Sequence, residues 1–245
     1  MKPAYSEWLA ENVYNEGQRQ QKARKVLAVL SDWFDGHLET KRVLDLGCSA
    51  GIMTNYMAHR FQWIIGTDID PGAVRFALDH RQSNSDYAMA DALYLPFRDE
   101  SFDILLCAHV YEHVTNARKM MGEIHRVLRP QGICFFAAGN RLRWMEPHYR
   151  LPMLSVLPKT VAHRYLQLLR RGDTYDENHL TYWELKRLVR PFRLIDYTGR
   201  IIDDPEKFAA TDVCRSGSLK QAAGRIAYRA ACWLMPTYVF LLQKR

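Results

Sequence analysis

The stretch VLDLGCSAG at 43–51 sets one carboxylate, Asp45, ahead of two glycines, Gly47 and Gly51, with only Cys48, Ser49 and Ala50 between them. Glycines so placed let a backbone turn tightly and lie close against a ligand. A pyrophosphate-binding turn would read G-x-G-x-x-G and offer amides to the anion. Here that spacing is absent, and Asp45 would repel a diphosphate while suiting a cationic amine. Taken alone, two such glycines also serve an ordinary strand-to-helix turn. A second carboxylate, Asp68, ends the apolar run FQWIIGTDID (61–70), where an acidic side chain can accept both hydroxyls of a ribose. A third, Asp91, closes DYAMAD (86–91), although an aspartate before Ala-Leu is also a good helix cap.

Two histidines have the chemistry of a general base, since their ordinary pKa lies near neutrality. His113 stands in HVYEHV (109–114) and His148 in EPHY (146–149), with Glu112 a poorer third candidate. A histidine in a loop is more often a packing or hydrogen-bonding residue. A divalent-metal site would need clustered acidic ligands, which the sequence does not offer, and no metal is expected. The cysteines at 48, 107, 134, 214 and 232 are scattered and odd in number, which fits reduced thiols of a cytosolic protein. Cys48 reads as a small loop residue.

These groups need a scaffold. Apolar positions at helical spacing (Val26, Leu27, Leu30, Trp33, Phe34) run to Asp35-Gly36 and predict N-terminal helices over 1–40. Short strands are then expected at 42–47, 61–70, 86–91, 101–109 and 132–140, separated by helices that include ARKMMGEIHRVLRP. Further elements are a helix at 180–192, a strand at 192–198 and a terminal strand at 236–245. Apolar strands alternating with helices make a parallel sheet covered on both faces, a doubly wound α/β fold. Its ligands sit beyond the carboxyl ends of the strands, where Asp45, Asp68 and Asp91 fall.

In this order the chain resembles the class I S-adenosylmethionine-dependent methyltransferases, in particular the small-molecule branch with ubiquinone-biosynthesis-like enzymes. The resemblance covers about residues 40–140 and rests on VLDLGCSAG, GTDID, DALYLPFRDESFD, YEHV and LRPQG, five pieces in register. It implies a seven-stranded, mostly parallel sheet with an antiparallel last strand, and S-adenosylmethionine as cofactor, with S-adenosylhomocysteine as product. It further implies that Asp45 and the loop Gly47, Cys48, Ser49 and Gly51 hold the methionine part. Asp68 with Ile69 would hold the ribose, Asp91 with the Ala92 amide the adenine edge, and His109 would approach the methionine end through its backbone. Gln131 departs from the family, which commonly has glycine there; the change bears on a turn.

Residues 141–179 and 199–235 are insertions in this reading of a methyltransferase domain over 41–245. The first, beginning NRLRWMEPHYRLPMLSVLP, is expected to form a lid and acceptor pocket. Asn140, Trp144, His148 and Tyr149 are its candidate acceptor-binding residues, Leu151 and Met153 also face inward, and prolines 147, 152 and 158 stiffen it. Within PKTVAHRYLQLLRRG (158–172), Val161, Tyr165, Leu168 and Leu169 form one helical face, opposite Arg164, Gln167, Arg170 and Arg171. SLKQAAGRIAYRAACWLM repeats the pattern of a basic helix with an apolar side.

Charge is uneven: residues 1–140 carry 15 basic and 17 acidic side chains, residues 141–245 carry 19 and 10. The basic part favours an anionic partner and a peripheral contact with a membrane surface from the cytosol. No secretion signal is visible at the N-terminus, and the apolar run at 230–242 is shorter than the roughly 20 residues of a membrane span. Nucleic acid is disfavoured, because the turn after the fourth strand reads HVYE and no aromatic-basic module is present. Asn-Arg, Glu-Pro-His-Tyr, two Leu-Pro pairs and Pro-Thr-Tyr more loosely resemble methyltransferases of bacterial surface glycans and glycolipids. That resemblance implies O-methylation of a sugar hydroxyl, on a lipid-linked anionic carrier. Methylation of a hydrophobic phenol or isoprenoid, or cofactor binding without catalysis, are the alternatives.

Overall fold

The computed structural model describes residues 14–245 of the chain. Of the expected N-terminal helices, α1 (Glu16–Trp33) is described and residues 1–13 lie outside. Asn15 caps α1 by accepting from the Gln18 amide, and the helix buries Ala23, Val26, Leu27, Val29 and Leu30. It stops at Asp35 and Gly36, both in the left-handed region.

The next elements alternate as the apolar runs require: β1 (Arg42–Leu46), α2 (Ile52–Ala58), β2 (Trp63–Asp68), α3 (Pro71–Asp79), β3 (Ser85–Met89), β4 (Phe102–Ala108), α4 (Ala117–Val127) and β5 (Leu128–Gly139). β5 starts earlier than expected, at Leu128, because Leu128 pairs with Phe102 of β4 before a register shift that leaves residues 129–132 bulged and resumes pairing at Ile133. Gln131 occupies that turn with φ 63°, a conformation glycine adopts more readily. α4 shows how the helices are held: Asn116 caps it, and Met120, Met121, Ile124 and Val127 go under the sheet. Each such side chain contributes roughly 1.5–3 kcal/mol by leaving water.

Beyond β5 come β6 (Met145–Glu146), β7 (Leu151–Pro152), α5 (Lys159–Leu168), α6 (Tyr182–Leu188), β8 (Phe192–Asp196), α7 (Thr198–Asp203), α8 (Leu219–Ala231) and β9 (Thr237–Lys244). The main sheet has seven strands in the order β3-β2-β1-β4-β5-β9-β8. β1 to β5 are parallel, and β9 runs antiparallel between β5 and β8. The order reverses at β1, between β2 and β4, so the crevice opens beyond the carboxyl end of β1, beside the glycine loop.

Residues 141–179 leave and re-enter the domain side by side. Asn140 bridges Leu180, and the Arg141 amide donates to the Leu180 carbonyl at 2.9 Å. Between these points β6 and β7 form a small antiparallel pair, and α5 packs on it through a separate core of Tyr149, Leu151, Leu154, Ala162, Leu166 and Tyr175. The helical face is therefore not the expected one. Ala162 and Leu166 are buried, while Val161, Leu168 and Leu169 are exposed, Leu168 at 80%. α8 corrects a second expectation: its buried residue is Gln221, and Leu219 and Ile226 on its surface are exposed.

Candidate active site

The glycine loop is tied to the neighbouring strand amide by amide. Gly47 and Cys48 both donate to the Thr67 carbonyl, at 2.7 and 3.0 Å, and the Ser49 amide donates to Asp68 Oδ2 at 2.8 Å. Gly47 and Gly51 have φ of 74° and 71°, and a β-carbon on Gly51 would stand 2.7 Å from the Tyr87 ring and the Ala77 methyl. The glycines thus satisfy both a left-handed turn and a close approach. Tyr87 packs beneath, its hydroxyl donating to Asn55 Oδ1 at 2.7 Å.

Asp45 lies under this loop, buried, and accepts from the Thr54 hydroxyl at 2.6 Å. Burial raises its pKa to about 6; the Thr54 bond and the Arg19 charge on α1 only partly oppose that rise. Cys48, buried between Asp45 and Asp68, has its thiol pushed well up by burial, which fits a packing role. Asp68 Oδ1 accepts from the Asp70 amide at 3.0 Å, so each carboxylate oxygen is oriented by one backbone donor and keeps a lone pair for another. Burial raises its pKa as well. Asp91 is held by accepting from the Leu93 amide at 2.8 Å, with Ala92 half-buried beside it. Ile69 and Met89, at the ends of adjacent strands, are both strongly exposed and offer an apolar platform. Met89 was not among the sequence candidates. An apolar ring plane, a diol and a cation match this row of platform, carboxylate and buried carboxylate.

His109 ends β4 with φ 60°; its amide donates to Ala137 O, so a backbone contact with a ligand would use its carbonyl. Its Nδ1 is 3.2 Å from Oε1 of the buried Glu112. His113 follows on the same turn, and its ring meets His148 edge to face with centroids 5.6 Å apart. Burial lowers the pKa of His113 to about 4, despite the charge of Glu112. It is neutral at physiological pH and a weak base, which counts against it among the two histidine candidates.

His148 is different. Burial would lower its pKa, but the hydrogen bond from Nδ1 to Glu146 Oε1 (2.9 Å) and the charges of Glu146, Glu177 and Glu112 raise it. Glu146 is fully buried. Burial alone would lift its pKa, yet the His148 bond, the nearby His179 ring and the Tyr149 amide at 2.7 Å hold it at about 2. His179 Nε2 stands 4.0 Å from Glu146, beyond hydrogen-bond reach. Glu112 Oε2, Arg143 Nη2, the Tyr175 hydroxyl, Glu177 Oε2 and both His179 ring nitrogens are buried without a hydrogen-bond partner. Orphaned buried groups are costly, and these act on one another electrostatically around Glu146.

Sequence reasoning missed Glu146, Arg143, Glu177 and His179. The repeated triplets Glu146-Pro147-His148 and Glu177-Asn178-His179 were the available signal. Other candidates fall elsewhere. Asn140 is fully buried, and its Nδ2 faces the Trp233 and Met235 carbonyls and the Tyr238 hydroxyl at 2.8–2.9 Å, so it joins strands rather than facing an acceptor. Trp144 is 68% exposed and Met153 also lies outward; both fall just outside the β6–β7 pair, whose Glu146 and Leu151 are buried. Tyr149 is buried, donating to the Thr174 carbonyl. Trp144, Met153, Leu157, Val161, Arg164 and Leu168 instead line an outward groove of about 490 Å³. Among the described residues, no group of three acidic, histidine or cysteine side chains could hold a metal, and no helix is long and apolar enough to cross a membrane.

A sheet of this order, with a glycine loop after β1 and carboxylates ending the strand beside it, defines the class I methyltransferase fold. Residues 44–136 match the family model described as a methyltransferase domain. The ubiquinone biosynthesis O-methyltransferase of Azoarcus sp. (strain BH72) is 32% identical over 165 residues, covering 65% of this chain and 67% of that protein. Its counterpart from Coxiella burnetii (strain RSA 331 / Henzerling II) is 28% identical over 169 residues, covering 66% and 68%. Among solved structures, the YcgJ protein of Bacillus subtilis aligns over 91% of this chain and 98% of its own, with a TM-score of 0.57 at 18% identity. An S-adenosylmethionine-dependent methyltransferase from Mesorhizobium loti aligns over 85% and 93%, with a TM-score of 0.56 at 14% identity. The chain belongs to the class I S-adenosylmethionine-dependent methyltransferases; it is an enzyme of methyl transfer with S-adenosylmethionine as cofactor.

Proposed function

We propose that this methyltransferase acts on a hydroxyl oxygen of a small molecule, with His148 as the general base. The observation that carries this reading is the Glu146–His148 pair, which meets the turn after β4 through His113, beside buried polar groups that lack hydrogen-bond partners. The bound cofactor supplies an electrophilic methyl on a sulfonium, a good leaving group. What remains for the chain is to align the acceptor, exclude water and take a proton.

In this reading Asp45 and the Gly47–Gly51 loop hold the methionine portion, Asp68 the ribose hydroxyls, and Ile69, Met89, Asp91 and Ala92 the adenine. His109 lies at the methionine end. Residues 141–179 act as the lid, hinged at the Asn140–Leu180 bridge. With the cofactor bound, these residues would hold its methyl toward the acceptor hydroxyl, and the chain's own part would be to take the hydroxyl proton as the oxygen is methylated. His148 Nε2 takes the hydroxyl proton, and Glu146 holds the resulting imidazolium.

The similarity to ubiquinone-biosynthesis O-methyltransferases supports a hydroxylated ring or isoprenoid-bearing acceptor over a glycan. One observation favours the second reading, a lipid-linked acceptor met at a membrane surface. The outward groove with exposed Trp144 and Leu168 carries Arg164 on α5, and Arg170 and Arg171 follow in the turn that ends the helix. The test is turnover with labelled S-adenosylmethionine across phenols, isoprenoid phenols and sugar glycolipids, with and without anionic vesicles. O-methylated phenol as the product supports the first reading, methylated glycolipid formed only with vesicles supports the second, and N- or C-methylation overturns both.

A further inference from the structure

We infer that Glu146 is the positioning residue of the reaction, selecting the tautomer and orientation of His148 through a bond built into the β6–β7 pair. The inference rests on the reading of His148 as the base and deepens it.

Glu146 is in the two-residue strand β6, which pairs with β7 so that its side chain points inward and is wholly buried. Both of its oxygens are engaged: Oε2 accepts from the Tyr149 amide at 2.7 Å and Oε1 faces His148 Nδ1 at 2.9 Å. The first of these bonds closes a tight loop, Glu146-Pro147-His148-Tyr149, in which proline removes a backbone freedom. The carboxylate is therefore fixed before it meets the ring. A carboxylate on Nδ1 selects the tautomer with hydrogen on that atom, and the basic lone pair then belongs to Nε2.

Charges from other elements act on the same ring. Glu177, on the returning segment, brings Oε1 to 3.7 Å of Nδ1, too far for a hydrogen bond but close enough to favour the imidazolium. Glu112, on the turn after β4, acts in the same direction, while His113 from that turn packs against the ring and is itself neutral. His179 Nε2 stands 4.0 Å from the same Glu146 oxygen that faces His148. Glu146 alone among these carboxylates combines contact distance with a second anchor.

The test is histidine NMR titration of the full chain with S-adenosylhomocysteine bound, the His148 signal being assigned by its loss in His148→Gln. His148 is expected to titrate above the ordinary histidine value of about 6.5 and to fall by about one unit or more in Glu146→Gln. Glu177→Gln should lower it by less, and the acid limb of kcat against pH should move with the Glu146→Gln titration. Should Glu146→Gln not bind cofactor, Glu146→Asp carries the test, with a smaller drop expected as the carboxylate withdraws by one methylene. An unmoved His148 titration in a folded Glu146 variant, or a larger effect from Glu177→Gln, overturns the inference. Because the titration needs no turnover, an error about the acceptor oxygen would show in the product screen and leave this result standing.

Discussion

Asp45 gives the sharpest quantitative consequence of the structure. In the protein without cofactor its carboxyl is fully buried and titrates at about 6 instead of 3.8. A shift of about two units corresponds to about 3 kcal/mol. The folded-state pKa is raised, so between pH about 4 and about 6 the folded protein holds a proton that the unfolded chain releases. Stability then falls as pH rises through that window and stays lower by this amount above it. Asp45→Asn removes the titration and can keep the acceptor for the Thr54 hydroxyl. Equilibrium unfolding in urea of parent and variant, at a series of pH values between 4 and 7, reads the Asp45 contribution together with its coupling to Asp68, because groups that do not interact with Asp45 cancel in the difference. The variant should gain about 2.4 kcal/mol on the parent between the two ends of the series, the rest of the effect lying below pH 4. A difference that does not change with pH would refute the claim that the carboxylate is held at a cost until the cofactor arrives. The same variant should bind S-adenosylmethionine more weakly at neutral pH.

Gly51→Ala places a methyl against Tyr87 and Ala77 at a positive φ, and should lower unfolding stability by about 2–4 kcal/mol and abolish cofactor binding, read by urea melts and calorimetry. Asn140→Ala should cost about 2–4 kcal/mol by stranding the Trp233 and Met235 carbonyls, with KM for the acceptor unchanged in the remaining folded enzyme; a rise in KM without loss of stability would restore it as an acceptor contact. His148→Gln should lower kcat roughly 10²–10⁴-fold with cofactor affinity retained, and steady-state kinetics should show a smaller loss for His113→Gln. Leu168→Asp, on the exposed side of α5, should leave stability within about 0.5 kcal/mol and reduce sedimentation with anionic vesicles; unchanged sedimentation would remove the membrane reading.

The parallel half of the sheet was legible because each strand is a short apolar run ended by the residue that matters: Leu46 before the loop, Asp68, Ala108. Local periodicity was enough there, since both faces of the strands are covered. It failed on α5, where two apolar stripes compete. The sequence favours the larger residues Val161, Tyr165 and Leu168, but the small Ala162 lets the helix approach Tyr149 and Tyr175 closely, and packing chose that side. Trp144 lies just before the two-residue strand β6, so no strand period extends to it, and its ring stays exposed while Glu146 is buried. The Glu146, Glu177 and His179 cluster depends on the chain returning to Leu180, a long-range closure that no window of sequence contains. Asn140 was rightly singled out for its place at the end of β5, but its amide serves the β9 end of the sheet.

The most direct test of the account is calorimetric titration of S-adenosylmethionine and S-adenosylhomocysteine into the parent and Asp68→Ala. Loss of charged hydrogen bonds to the ribose should weaken both ligands roughly 10- to 100-fold in the variant. Binding of equal strength in parent and variant, or no binding to the parent, would contradict the placement of the cofactor at the ends of β1 and β2.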